Sequence, residues 1–295
     1  MRIHLLDATW ELFRAHFGRP PHAGADGMAV GGVLGVVESI AALLRAEDGV
    51  THLGCATDHV IRSWRNDRWP GYKTEAGMDP AILAQLPLLE EALAALGLVV
   101  WPMVENEADD ALATAAARWA DAPGVEQVVI LSPDKDLAQC VREDGRIVLY
   151  DRRKQRFSDA ADVRARFGVS PASIPDWLAL VGDSADGYPG VPGWGAVSAA
   201  AVLARYPHLE EIPSDARRWD LAVRGAERLA AALRDHRDDA FLFRELATLR
   251  TDAPIPQADP DELRWRGADP VAFPALAARL RAPRLRERVA LRAAG

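Results

Sequence analysis

Residues 128–136 read VVILSPDKD, an apolar run followed by two closely spaced acids. The run VVILS at 128–132, with four aliphatic residues, predicts a buried strand. Asp134 and Asp136 come directly after it, and ligands of open α/β sheets bind outside the carboxyl ends of the strands. The stretch therefore predicts one strand of a sheet together with two candidate site residues.

Similar apolar runs recur through the first half of the chain and alternate with helical periods. Strands that alternate with helices predict an α/β fold whose parallel central sheet is covered on both faces. The other runs are RIHLL at 2–6, HLGCAT at 52–57 and IVLYD at 147–151, and the helical periods cover 30–46, 80–96 and 107–120.

After residue 158 the pattern is helical only, with Pro and Gly between the helices. This change predicts two domains, at 1–158 and 159–295. The predicted helices of the second domain are 159–167, 171–181, 194–204, 225–234, 236–250 and 270–281.

The composition is that of a globular protein, with 49% hydrophobic and 26% charged residues among 295. No apolar run approaches the ~20 residues of a membrane span, and the N-terminus meets an acid at Asp7, so we expect no membrane partner, no secretory signal and a cytoplasmic location. Cys55 and Cys140 have no metal-ligand spacing and are expected to be reduced. The net charge of −8 disfavours nucleic acid as a partner unless the acids are concentrated in a metal site.

Nine acids follow predicted strands or lie in turns that could meet at one edge of the sheet. Each has an ordinary interpretation as a helix cap, a turn residue or an acid facing a helix dipole. Together they are harder to explain, because two like charges 4 Å apart repel by about 4 kcal/mol at an effective dielectric constant of 20. The nine acids are Asp7, Asp58, Glu107, Asp109, Asp110, Asp134, Asp136, Asp183 and Asp186.

A divalent cation would reverse that repulsion, and ligands that are all oxygen indicate Mg²⁺ or Mn²⁺ rather than zinc. So many carboxylates exceed the needs of one ion. Two ions about 3.5–4 Å apart support in-line displacement at phosphorus, since one activates water and the other stabilises the leaving oxygen. The sequence therefore predicts two metal ions and a phosphodiester substrate.

The motifs resemble those of the 5'-3' exonuclease domain of bacterial DNA polymerase I and its flap-endonuclease relatives. They occur in family order: LLDATWELFR, ATDHVIRSWR, WPGYK, QLPLLEEALAALG, NEADDALA, LSPDKDLAQCV, LVGDSADGYPGVPGWG and LATLRTD. The resemblance implies a PIN-like parallel central sheet flanked by helices, followed by a helical region with a helix-hairpin-helix DNA-binding motif at about 178–205. Because no polymerase motif follows, the free-standing form is expected.

The resemblance also implies functions for single residues. Asp7, Asp58, Glu107 and Asp109 would surround the first metal; Asp134, Asp136, Asp183 and Asp186 would surround the second, with Asp110 as an additional contributor. Arg14 and Lys73 match positions that contact the scissile phosphate, with Arg65 as a neighbour. In GVPGWGAVSAAAVL at 190–203, the glycines Gly190, Gly193 and Gly195 would let backbone N–H groups approach a DNA phosphate, and K⁺ could bridge this hairpin to DNA.

Three departures from the family pattern concern DNA affinity. Ala8 stands where Gly is usual, the hairpin GWGAVSAA lacks a lysine, and GYKTEAGM lacks the Arg that usually follows Lys73.

Two basic segments are the candidate DNA surfaces: the excursion at 60–79, whose cations lie within 62–73, and the C-terminal arginines. Trp64 and Trp69 could stack on unpaired bases or pack in the core, and Trp101 and Trp119 are expected in the core. The C-terminal arginines are Arg279, Arg281, Arg284, Arg286, Arg288 and Arg292.

The preferred interpretation is a monomeric, metal-dependent 5'-3' exonuclease or 5' flap endonuclease in replication or repair, which acts on DNA with 5' ends or flaps, with RNA primers as a further candidate substrate. A non-catalytic binder of branched DNA is one alternative, which the complete set of acids disfavours. A PIN-type ribonuclease is the other, which the hairpin at 190–203 disfavours because that element binds duplex DNA.

Overall fold

A computed structural model describes residues 1–45 and 49–291. Within them the strands are β1 (Arg2–Asp7), β2 (His52–Asp58), β3 (Val99–Met103), β4 (Gln127–Leu131), β5 (Ile147–Asp151) and β6 (Arg156–Ser158). The α-helices are α1 (Ala8–Gly18), α2 (Gly31–Arg45), α3 (Trp64–Arg68), α4 (Pro80–Leu83), α5 (Leu86–Ala95), α6 (Ala108–Trp119), α7 (Ala160–Phe167), α8 (Ile174–Val181), α9 (Ala196–Arg205), α10 (Ala226–Asp235), α11 (Arg237–Ala247) and α12 (Ala272–Arg279).

The chain forms two compact units that are not continuous in sequence. The first consists of Met1–Ile61, Glu75–Ser132 and Thr251–Gly295, and the second of Arg62–Thr74 and Pro133–Arg250. The predicted domains 1–158 and 159–295 are continuous segments, and that division remains a prediction.

In the first unit, β1 to β4 form a parallel sheet in the order β3-β2-β1-β4. Parallel strands are buried on both faces, and Ile3, Leu5 and Ile130 are fully buried. Gly54 of β2 lies against the ring of Trp101, where a Cβ would come within 2.4 Å of a ring carbon. Trp101 and Trp119 are both buried, with ring centroids 6.1 Å apart. The predictions of a parallel sheet and of a core position for these two tryptophans are confirmed.

The single helix predicted at 80–96 is wrong, because the structure divides it into α4 and α5. Pro87 lies in the first turn of α5, where its missing N–H is tolerated. A proline deeper in a continuous helix would remove a hydrogen bond, so the chain starts a new helix at Leu86 instead. Helix α1 was not predicted.

The second unit is helical except for the antiparallel hairpin of β5 and β6. The sequence predicted β5 but not the short strand β6. The helices after residue 158 lie where the sequence placed them. For example, α7 begins after an Asp159 cap and ends at Gly168 in the left-handed conformation, with φ of 75°. None of the helices in the described ranges is long and apolar enough to span a bilayer.

Candidate metal centre

The first group of acids, here called the strand-end acids, lies in the first unit and comprises Asp7, Asp58, Glu107, Asp109 and Asp110. Asp7 ends β1 and caps α1, because its Oδ1 accepts the N–H of Trp10 at 2.9 Å. Its Oδ2 accepts a hydrogen bond from Ser132 Oγ at 3.0 Å. The immediate change from strand to helix thus fixes a buried carboxylate at the carboxyl edge of the sheet.

The other strand-end acids gather at the start of α6. Asp58 ends β2, and its Oδ1 accepts the N–H of Ala108, the first residue of that helix, at 2.8 Å. Glu107 is the N-cap, and Asp110 accepts the N–H of Glu107 at 3.1 Å in a capping box. Asp109 lies in the same first turn. The carboxylate of Asp110, fully buried, serves as a helix cap, and its predicted contribution to a metal site remains a prediction.

The second group, here called the aspartate cluster, lies in the second unit and comprises Asp134, Asp136, Asp183 and Asp186. Carboxylate oxygens of Asp136, Asp183 and Asp186 lie within 4.8 Å of one another, and all three residues are buried. Asp134 accepts the backbone N–H of Asp136 at 3.4 Å. The structure therefore brings three of the predicted ligands together.

A tight turn between α8 and α9 places two of these aspartates. Asp183 Oδ1 accepts the N–H of Ala185 at 2.9 Å, and the carbonyl oxygen of Asp183 accepts the N–H of Gly187 at 2.8 Å. Gly187 has a φ of 85°, and a Cβ there would lie 2.1 Å from the carbonyl oxygen of Gly71. Only glycine fits this conformation and this close approach.

Burial and mutual repulsion control the charge of the cluster. Burial raises the pKa of Asp136 well above its usual value, and the charges of Asp134, Asp186 and Asp183 raise it further. Asp136 Oδ1 is buried and has no hydrogen-bond partner among the described residues. Burial and the charges of Asp136, Asp186 and Asp183 also raise the pKa of Tyr188, which keeps its phenol protonated.

Two lysines face the cluster. The ammonium of Lys73 lies 3.0 Å from Asp186 Oδ1, and that of Lys135 lies 2.6 Å from Asp183 Oδ2. Lys73 was a predicted site residue. Lys135 was not, although the sequence offered a signal, because it is one of only three lysines in the chain.

Hydrogen bonds fix the segment that carries Lys73 to the turn at Asp186. The N–H of Lys73 donates to the carbonyl of Asp186 at 2.9 Å, and Trp69 Nε1 donates to the carbonyl of Gly187 at 3.0 Å. Asn66 Nδ2 donates to the carbonyl of Lys73 at 3.0 Å. Trp69 also packs edge-on against Phe243. The position of Lys73 is therefore determined by backbone contacts as well as by its charge.

The side chain of Arg65, which was predicted to neighbour the scissile phosphate, is 1% exposed, and its place beside the phosphate remains a prediction. Its Nε donates to the carbonyl of Leu246 at 2.7 Å and another guanidinium nitrogen donates to that of Thr248 at 3.3 Å. These bonds attach α3 to the end of α11. Trp64 is packed between the guanidinium groups of Arg65 and Arg250, at 4.6 and 3.9 Å from the ring centroid.

The predicted basic surfaces are less positive than the sequence suggested. Arg68 forms an ion pair with Glu245, and Arg279 forms ion pairs with Glu91 and Asp26. Arg288 also has an acidic partner, Glu38. Arg292 lies outside the described residues. Arg14 pairs with Glu11 within α1, and its contact with a phosphate remains a prediction.

The loop between α8 and α9 contains the three predicted DNA-binding glycines. Gly190 is buried, and a Cβ there would lie 2.4 Å from the nitrogen of Gly182, so its backbone packs inside the loop. The phosphate contact of Gly190 remains a prediction. Gly193 has a φ of 80°, and Gly195 caps α9. Gly193 and Gly195 line a surface cavity of about 490 Å³ together with Arg224 and Arg228.

The two segments of the chain match two family descriptions. Residues 2–168 match "5'-3' exonuclease, N-terminal resolvase-like domain", and residues 169–271 match "5'-3' exonuclease, C-terminal SAM fold". The chain belongs to the 5'-3' exonuclease family. The expected family and the α/β fold followed by a helical region are thereby confirmed.

Curated relatives within this family are longer proteins. DNA polymerase I of Rhizobium leguminosarum is 35% identical over 264 residues, which cover 86% of this chain and 25% of the relative. DNA polymerase I of Mycobacterium leprae is 34% identical over 274 residues, which cover 90% of this chain and 29% of the relative. The chain thus spans between a quarter and a third of the length of these relatives.

Solved structures of other proteins share the fold of this chain. T5 5'-exonuclease with bound zinc superposes with a TM-score of 0.65 at 17% identity, over 85% of this chain and 90% of that one. The catalytic core of Rad2 in complex with DNA substrate has a TM-score of 0.61 at 15% identity, over 97% of this chain and 89% of that one.

Proposed function

We propose that this chain is a metal-dependent 5'-3' exonuclease and structure-specific 5' flap endonuclease that hydrolyses DNA in replication or repair. The observation that carries the proposal is the aspartate cluster, where three buried carboxylate oxygens lie within 4.8 Å of one another. The ammonium of Lys73 lies 3.0 Å from one of these carboxylates. Hydrolysis of a phosphodiester uses both a site for a divalent cation and a positive charge that binds the phosphate.

The cluster fits a hard divalent cation. Its ligand atoms are all oxygen, which suits Mg²⁺ or Mn²⁺. Asp136 Oδ1 is buried without a hydrogen-bond partner in the described part of the chain, an arrangement that costs free energy unless a cation binds there. Membership of a family of 5'-3' exonucleases, and the metal-bound T5 5'-exonuclease of the same fold, support the assignment.

Two Mg²⁺ or Mn²⁺ ions are proposed, one for each group of acids. Asp134, Asp136, Asp183 and Asp186 would hold one ion; Asp7, Asp58, Glu107 and Asp109 would hold the other, with Asp110 as a further contributor. When bound, such ions activate water and stabilise the leaving oxygen.

The chain's own residues supply binding and orientation. Lys73 would place its ammonium on a non-bridging oxygen of the scissile phosphate, where negative charge increases in the transition state. Arg14 would contact the same phosphate from α1. Arg65 would act through Lys73, because its buried guanidinium attaches α3 and the following segment to α11.

DNA with 5' ends or flaps is the proposed partner, with RNA primers as a further substrate. The catalytic core of Rad2, which shares the fold, has been solved with DNA substrate. Residues at about 178–205 would act as a helix-hairpin-helix, in which the N–H groups near Gly193 and Gly195 bind a duplex phosphate and K⁺ bridges the hairpin to DNA. Arg224 and Arg228 would add charge at the same cavity. A nuclease domain at 1–158 and a helical domain at 159–295, acting as a monomer, complete the proposal.

The test is cleavage of a labelled 5'-flap duplex in Mg²⁺, beside matched single-stranded RNA. We expect cleavage of the flap near the junction, no cleavage in EDTA, and binding without turnover in Ca²⁺, whose looser coordination misplaces the nucleophile. Cleavage of the RNA alone would favour the PIN-type ribonuclease. Tight flap binding without cleavage in Mg²⁺ or Mn²⁺ would favour a non-catalytic DNA-binding protein.

A further inference from the structure

The chain contains 32 arginines and only three lysines. Two of the three, Lys73 and Lys135, direct their ammonium groups at carboxylates of the aspartate cluster. The third, Lys154, has a side chain that is 73% exposed and pairs with Asp151 in the β5–β6 hairpin. In a chain that uses arginine almost everywhere else, the placement of lysine at the cluster indicates a need for an ammonium group.

The two cations differ in how they hold a carboxylate. A guanidinium is planar and binds both carboxylate oxygens with parallel hydrogen bonds, whereas an ammonium is a compact point charge. An ammonium can therefore neutralise one oxygen of an aspartate without occupying the other. That property suits a carboxylate that must also turn toward a metal ion.

Lys135 lies closer to the carboxylates of the aspartate cluster than a residue that only contacts phosphate would need to lie. It lies between Asp134 and Asp136 in the chain, its side chain is only 30% exposed, and its Nζ is 2.6 Å from Asp183 Oδ2. A lysine side chain carries a positive charge at neutral pH, so a cation lies within hydrogen-bonding distance of Asp183.

We propose that Lys135 is a positioning residue whose ammonium is the built-in counter-cation of Asp183 and competes with a divalent ion for the aspartate cluster. The proposal rests on the metal site of the proposed function and adds a component that tunes it. Without a divalent ion, Lys135 holds Asp183 beside two like charges. When an ion binds, the same ammonium repels it and keeps its affinity moderate.

The test measures Mn²⁺ binding to the full chain without DNA, by titration calorimetry, in the wild type and in Lys135→Gln. Glutamine can still donate a hydrogen bond to Asp183 but carries no charge. We expect it to bind Mn²⁺ about tenfold more tightly, the size of an ordinary coupling between neighbouring charges. In EDTA its thermal midpoint should be lower by about 2–4 °C, and saturating Mn²⁺ should remove that deficit.

Two further variants separate charge from other effects. Lys154→Gln removes the remaining lysine, which is exposed in the second unit's hairpin and pairs with Asp151, and this variant should bind Mn²⁺ like the wild type. Lys135→Arg keeps the cation, and its guanidinium can hold both oxygens of Asp183, so this variant should bind Mn²⁺ no more tightly than the wild type. A large gain in Lys135→Arg would overturn the proposal even if Lys135→Gln did not fold.

Unchanged or weaker Mn²⁺ binding in Lys135→Gln, with normal binding in the wild type, would overturn the competition and leave the proposed metal site intact. Absence of Mn²⁺ binding in both proteins would contradict the metal site itself, and the competition with it. The failures of the two proposals are thus distinguishable.

Discussion

The strand-end acids and the aspartate cluster contain the same kinds of side chain but are held in different ways. Asp7, Asp58 and Asp110 each accept a backbone N–H at the start of a helix. In the cluster, Asp183 and Asp186 face lysine ammonium groups, and Asp136 is buried beside them with a raised pKa. In the cluster Asp183 also accepts a backbone N–H, from Ala185, but Asp136 Oδ1 is buried without a hydrogen-bond partner among the described residues. The difference between the two groups is therefore greatest at Asp136.

The comparison predicts that the cluster is dispensable for folding and essential for catalysis. Replacing Asp136 or Asp183 by asparagine keeps the shape of the side chain and removes the charge of a proposed metal ligand. We expect Asp136→Asn and Asp183→Asn to reduce flap cleavage by at least about 10³-fold, the upper range for loss of one group that stabilises the transition state. Binding to the same flap in Ca²⁺ should stay within a few fold of the wild type.

Single-turnover rates and binding isotherms on one labelled flap separate these effects. Ser184→Ala, in the same turn but with no carboxylate, is the matched control and should keep the wild-type rate. Wild-type rates in both aspartate variants would remove these residues from the site and leave the cluster without a catalytic function.

Lys73 tests whether a cluster lysine acts on the substrate as well as on its carboxylate. Its ammonium pairs with Asp186 and is fixed there by the backbone contact of Lys73 with the same residue. We expect Lys73→Ala to lower kcat by roughly 10²-fold, as for loss of one donor to a developing negative charge. Lys154→Ala is the control. A change confined to KM would instead make Lys73 a uniform binding contact.

Periodicity predicted the fold well because the fold depends on local patterns. The strands β1, β2, β4 and β5 and the helices after residue 158 follow from runs of apolar residues and from caps such as Asp159. The break between α4 and α5 was missed because an apolar period continues across Pro87. The strand β6 was missed because three residues, Arg156–Ser158, carry too little pattern to recognise.

Residue type predicted the acids of the candidate site, but not the partners that hold them. Arg65 looks like a surface cation in the sequence, and only the carbonyl oxygens of Leu246 and Thr248, about 180 positions away, reveal it as buried. The partner of Lys135, Asp183, is likewise distant in sequence. Such pairs depend on long-range packing, which periodicity and composition do not encode.

Substitutions in the two groups of acids should change the free energy of unfolding in opposite directions when no metal is bound. In EDTA we expect Asp7→Ala to lower the free energy of unfolding by about 1 kcal/mol, because it removes the cap of α1. Asp136→Asn should raise it by about 1 kcal/mol or more, since it removes a buried charge whose raised pKa opposes folding.

The raised pKa of Asp136 determines the direction in which the stability of the protein changes with pH. A carboxyl with a raised pKa in the folded state contributes stability while it is protonated, and that contribution is lost as pH rises through the folded pKa. Urea unfolding in EDTA at several pH values should therefore show a loss of wild-type stability with rising pH that is smaller in Asp136→Asn. If stability fell equally steeply with pH in both proteins, or if Asp136→Asn were destabilising, the carboxylates of the cluster would be as well compensated by their partners as the strand-end acids are.

The smallest expected effect concerns Glu75, an exposed acid two residues past Lys73. It adds negative charge beside the segment that carries a proposed phosphate contact, and it belongs to neither group of acids. If a 5' single strand passes Glu75, replacing the acid by arginine should add one phosphate contact. We expect Glu75→Arg to tighten flap binding and to increase the magnitude of the slope of log K against log[salt] by about 0.7, the single-strand value for one contact.

Titrations of the wild type, Glu75→Gln and Glu75→Arg against one flap at several salt concentrations decide the point. Glu75→Gln removes the negative charge without adding a positive one, so it should tighten binding less than Glu75→Arg does. The rate at saturating DNA should hardly change in either variant, since Glu75 is not among the proposed metal ligands. Parallel lines for all three proteins would mean that Glu75 only stabilises its turn, where its carbonyl accepts the N–H of Met78 at 3.0 Å. The single strand would then follow another path. Glu75 would have no part in the contrast between charges that bind the substrate and charges that support the fold.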